Sequence, residues 1–85
     1  MNQTYTKRER AHIVKVKELS CSVCDKPGPS EAHHISQSSP WTAIALCANC
    51  HRDNHNGIHG RKAMWKVKKM DELMALGETI KGLLA

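Results

Sequence analysis

Cys21-x-x-Cys24 and Cys47-x-x-Cys50 use all four cysteines of the chain. Two such pairs, separated by the stretch Asp25 to Leu46, match the spacing at which two turns each offer two thiolates to one tetrahedral zinc ion. A pair of disulfides is the competing reading, and it needs an oxidising compartment. Met1 to Ser20 is polar and basic, with no apolar run of the secretory kind, so the expectation is a cytoplasmic protein with a structural Zn2+. A redox role for Cys-x-x-Cys is poor without a βαβ pattern.

The histidines carry a second chemistry. Of six, His33, His34, His51, His55 and His59 fall close together around the second cysteine pair. Neighbouring residues of a strand point to opposite faces, so His33 and His34 must play different roles. His51 and His55, four apart on a helix, would share a face with α-carbons about 6 Å apart and could converge on one ion. A strand histidine and a helical pair make three ligands with an open position, as a working metal requires. The plainer reading, that these histidines complete the zinc shell or satisfy the core, meets the fact that four cysteines already close a tetrahedron.

The elements that must position these groups are short. Thr6-Lys7-Arg8-Glu9 has the form of a capping box and predicts a helix to about Leu19, with Ala11, Val14, Ile13 and Leu19 at helical spacing. Pro27-Gly28-Pro29 is a turn; Glu31–Ile35 and Trp41–Leu46 read as the strands of a hairpin, joined by Ser36 to Pro40. Asn49 to about Asn56 reads as a helix stopped by Gly57. Met70, Leu73, Met74, Leu76, Ile80, Leu83 and Leu84 fit an amphipathic helix from about Lys69 to Leu84, packed on the knuckles and the first helix, with the methionines as core filling.

With 85 residues, no Phe, one Tyr and two Trp, the chain has few large side chains to bury. A small domain of this kind needs a staple, and a zinc site contributing on the order of 10 kcal/mol or more supplies one. Lys plus Arg number 13 against 8 Asp plus Glu, and the surplus lies in residues 1–69 with every candidate ligand. Such a face suits phosphates, though a merely solvated basic surface has the same composition. No stretch is long and apolar enough to span a membrane.

Glu31-Ala32-His33-His34-Ile35 followed by Leu46-Cys47-Ala48-Asn49-Cys50-His51 resembles the HNH endonuclease family, whose site is a hairpin and helix around one metal, the ββα-metal fold. Gly57-Ile58-His59-Gly60, the Trp65 region and the acidic terminal helix are similar to small phage nucleases of the recombination enhancement function type. The resemblance implies a small, zinc-stabilised α+β fold in one domain: an N-terminal basic helix over 1–20, knuckles and ββα-metal core over 21–56, and a C-terminal helical region over 61–85.

Position by position, it implies that His34 is the general base and that His33, His51 and His55 hold a catalytic divalent metal. Glu31 matches an acidic residue that would orient an imidazole. Thr42 stands where the motif has its middle Asn. His59 stays open between phosphate contact, further ligand and surface residue. Arg52, Arg61, Lys62 and Lys66 join it as candidate nucleic-acid contacts. The implied activity is DNA hydrolysis to 5′-phosphate and 3′-hydroxyl ends by a monomer, nicking with little sequence preference. Imidazole ligands favour Mn2+, Ni2+, Co2+ or Zn2+ over Mg2+, although Mg2+ is what a cell holds in excess. A recombination protein as partner is an analogy only. The alternative is a zinc-stapled DNA-binding module whose chemistry has lapsed.

Overall fold

Thr6 opens the first helix: its hydroxyl accepts from the Glu9 backbone N–H at 3.1 Å, while the Glu9 carboxylate accepts from the Thr6 N–H at 2.8 Å. The capping box legible in the sequence is formed, and a cap of this kind stabilises a helix by about 0.5–2 kcal/mol. The computed structural model describes residues 5–85, so the first four residues of the expected N-terminal segment lie outside the described residues. Helix α1 spans Lys7–Glu18 and lays Ile13, Val16 and Leu19 on the hairpin. Val14, expected inward, is exposed. Val16 is the side chain that fits flat on the small Ala43 and Ala45, and this fixes the rotation of the helix.

Strands β1 (Glu31–His34) and β2 (Ala43–Leu46) pair antiparallel with His33 opposite Ile44 and His34 opposite Ala43. The second strand is shorter than expected because Pro40–Thr42 winds into a single 3-10 turn with Pro at its start. Alternation gives the ribbon two faces. Ala32, Ala43 and Ala45 meet α1, and their small size lets the helix come close. Ile44 and Leu46 meet the cysteine knuckles and Trp65. Glu31 and His33 therefore share the knuckle side, and His34 shares the α1 side.

Helix α2 covers only Ala48–Arg52, so the expected continuation to Asn56 does not form. Asp53 ends it: its carboxylate accepts the backbone N–H groups of His55 and Asn56 at 3.0 and 2.9 Å, a local turn that competes with helix. The C-terminal helix expected from about Lys69 begins later, as α4 (Glu72–Leu84), and a further short helix, α3 (Ala63–Val67), precedes it. Lys69 takes a left-handed conformation with φ 55°, and Asp71 caps α4 by accepting the Met74 N–H at 2.8 Å. Trp65 of α3 is fully buried and donates its indole N–H to the Cys50 carbonyl at 2.9 Å.

Helix α4 presents Ala75, Leu76, Thr79 and Leu83 to the core, while Leu73, Met74, Ile80 and Leu84 face outward. Thr79 explains that choice: its hydroxyl accepts the Ala45 N–H at 3.2 Å and lies 2.7 Å from the Ser22 hydroxyl, covering a strand edge that water would otherwise reach. The expected packing of this helix on the knuckles and on α1 is present. Met64 and Met70 fill the core as expected. Among the described residues the chain is a small α+β unit of a two-stranded sheet, four helices and a candidate four-cysteine zinc site. No helix is long and apolar enough to cross a membrane.

Candidate metal centres

The first knuckle turns on Asp25, whose N–H bonds the Cys21 carbonyl at 3.0 Å and whose φ of 64° closes the loop. The second is the start of α2, where the Cys47 sulfur accepts the Cys50 N–H at 3.4 Å. Together they gather the sulfurs of Cys21, Cys24, Cys47 and Cys50 within 4.8 Å of one another. Burial pushes the Cys24 and Cys50 thiols up. At Cys21 burial also acts upward, but hydrogen bonds from the backbone of Cys24, Cys47 and Val23 outweigh it and hold that thiol below its ordinary value. Four sulfurs gathered this closely are a donor set that fits tetrahedral zinc.

A second group includes His51 of α2. Nitrogen atoms of His33, His51 and His59 also come within 4.8 Å of one another. Their ring centres are 5.2, 5.0 and 4.9 Å apart, a nearly equilateral triangle. Three imidazoles sharing a tetrahedral ion at metal–nitrogen distances of about 2.1 Å would hold their ring centres about 5 Å apart. His33 is buried, His51 half-buried and His59 exposed, so the group opens to solvent on the His59 side.

Carboxylates orient two of the rings. Glu31 Oε1 lies 2.8 Å from His51 Nδ1, and Glu72 Oε2 lies 2.8 Å from His33 Nε2. A carboxylate on one ring nitrogen fixes the orientation of each imidazole. Burial raises the Glu31 carboxyl, but the hydrogen bonds from His51 and Arg52 outweigh it and hold the group below its usual range. Arg52, expected at a phosphate, is thereby engaged, with Nε 3.0 Å from Glu31 Oε1.

The residues read from the sequence are distributed unevenly. His33, His51 and Glu31 come together as anticipated, but His55 stands apart from the triad. With α2 ended at Arg52, the four-residue helical spacing from His51 is lost, and His55 instead lines a shallow hollow with Asn54 and Arg61. His59 joins the triad in its stead. Backbone bonds from Ile58 to the Cys50 carbonyl (2.9 Å) and from His59 to the His51 carbonyl (3.4 Å) fold the loop back along the end of α2. The Gly57 and Gly60 that permit this return were visible as a signal. Glu72 was missed, because nothing in its local sequence marks a residue that acts across the fold.

His34 points to the α1 side, its ring stacked on Tyr5 at 6.3 Å with the phenol oxygen 3.5 Å from Nε2. Burial, then the nearby His33 and Lys17, lower its pKa. Thr42 donates its hydroxyl to the Ser39 carbonyl at 3.0 Å and so ties the hairpin connection rather than reaching the triad. Arg61, Lys62 and Lys66 are exposed. In comparisons with known proteins, no family model, curated protein or solved structure matches the chain.

Proposed function

We propose that this protein is a metal-dependent DNA endonuclease of the HNH type, with β1, β2 and α2 as its ββα-metal core, nicking with little sequence preference. The observation that carries the reading is the convergence of His33, His51 and His59 next to a separate cysteine cage, with His34 on the neighbouring strand position. In this reading His59 fills the place that the family resemblance assigns to His55.

His33, His51 and His59 would hold a divalent cation, which when bound would supply positive charge to offset that of the scissile phosphodiester. The chain supplies the rest. Glu31 and Glu72 fix the orientation of His51 and His33. His34, with its pKa lowered, is largely unprotonated at neutral pH and takes the proton of the attacking water. Water adds to phosphorus as the bond to the 3′-oxygen breaks, and the departing 3′-alkoxide takes a proton from solvent water, leaving 5′-phosphate and 3′-hydroxyl ends. Exposed Arg61, Lys62 and Lys66 offer phosphate contacts, which position a backbone without reading its sequence.

A DNA-binding module without chemistry is the second reading, favoured by Thr42, whose hydroxyl is spent on the Ser39 carbonyl where the motif places an Asn. Supercoiled plasmid incubated with Mn2+ or Mg2+ separates the two. Nicking by the parent and not by His34→Ala supports the enzyme. Equal binding with no nicking by either supports the module.

A further inference from the structure

The chain has two tryptophans, and they are treated very differently. Trp65 is 1% exposed with its N–H bonded, a core residue. Trp41 is 50% exposed at the crown of the Pro40–Thr42 turn. Leaving that much indole in water is unfavourable, and neither the hairpin nor the cysteine cage requires a large ring at this position.

Its surroundings are those of a nucleotide seat. The Trp41 ring lies 4.7 Å from that of His12, tilted by 41°, so α1 braces one side of the indole. Arg8 and Lys15 stand one helical turn to either side of His12, both exposed. An aromatic plane beside a helix face that carries two exposed cations suits a base with its neighbouring phosphates. The platform is also on the same side of the ribbon as His34: the Trp41 ring packs on His12 of α1, and His34 faces the α1 side with Tyr5 stacked on it.

We propose that Trp41, braced by His12 on a helix that also carries Arg8 and Lys15, is a stacking platform for an unpaired base of single-stranded DNA, leading that strand toward His34. A base inside a duplex has both faces covered by its neighbours and offers only its edges. An indole plane can therefore take a base only from a strand that is single, frayed or displaced. The inference rests on the nuclease reading for the choice of DNA. The platform itself is read from Trp41 and its neighbours.

The test is binding of the zinc-loaded protein, without added divalent metal, to an oligothymidylate of about 16 nucleotides, the upper end of what one small domain covers. Two comparators carry the same number of phosphates: an abasic oligonucleotide and a duplex. We expect the oligothymidylate to quench the accessible Trp41 emission and to bind more tightly than either comparator. Trp41→Ala should lose roughly 5- to 100-fold in affinity for it, and Trp41→Phe should recover most of that loss. Unchanged zinc content and buried Trp65 emission in both variants verify the fold. The proposal is overturned if Trp41→Ala binds as the parent does, or if the abasic or duplex probe binds as tightly as the oligothymidylate. Plasmid nicking by the parent is scored separately, so failure of the platform and failure of the nuclease reading are distinguishable.

Discussion

His33 and Glu72 meet across 39 positions of sequence, with the imidazole Nε2 2.8 Å from the carboxylate Oε2. The histidine belongs to the hairpin and the glutamate to the first turn of α4, so docking of the C-terminal helix is what fixes the orientation of a ring in the triad.

That link makes Glu72 a positioning residue. Glu72→Ala should weaken an exchangeable divalent ion roughly 10- to 100-fold while the cysteine-bound zinc stays in place. Glu72→Gln, which keeps an acceptor for the Nε2–H, should lose less. Competition with a coloured chelator reads both values, and an Ala variant that holds the exchangeable ion like the parent would remove Glu72 from the site.

The loop carrying His59 depends on two glycines. A Cβ on Gly57 would lie 2.6 Å from the Asp53 carbonyl oxygen, and one on Gly60 would press still closer on that of Asn54. Both close approaches are to backbone, which cannot swing away. Gly60→Ala should cost about 1–3 kcal/mol in urea unfolding and reduce exchangeable-ion binding together. Loss of neither would mean that the loop return is not required.

Zinc removal should unfold the chain. The buried core around Cys21, Cys47 and Cys50 is built on the cage itself, with Trp65, Ile44 and Leu46 packed against it. A structural zinc contributes on the order of 10 kcal/mol or more, comparable to the whole stability of a small domain. Complete chelation should abolish most of the far-UV CD signal; an unchanged spectrum would refute the claim.

His12 gives a pH dependence with a definite sign. Burial, and then the charge of Lys15, lower its pKa from the ordinary 6.5. Between that value and the lower folded one, the unfolded chain binds a proton that the folded chain does not. This group's effect is therefore absent above about pH 6.5, and stability falls as the pH drops from there to the folded pKa. His12→Gln should flatten that part of the urea-midpoint profile. A variant profile parallel to the parent's would contradict it.

The sequence was most readable where a side chain acts within a few residues of itself. The Thr6–Glu9 cap, the two knuckles and the opposed directions of His33 and His34 follow from local spacing, and the structure forms all three. It was least readable where backbone chemistry competes. Asp53 and Asp71 each accept N–H groups just ahead of them, cutting one expected helix short and starting another late. Apolar periodicity in α4 also misled: Leu73 and Leu84 are outward although they fit the pattern, because Thr79 must reach the Ala45 N–H and this sets the rotation. Helix ending and loop return together exchanged His55 for His59.

Metal stoichiometry by native mass spectrometry tests the central claim most directly. After loading with Mn2+ or Zn2+, the parent should carry one ion that resists a mild chelator, on the cysteines, and one that does not, on His33, His51 and His59. His59→Ala should keep only the resistant ion, whereas His55→Ala should keep both. A parent that never takes the second ion, or a His59→Ala variant that still holds it, would contradict the account.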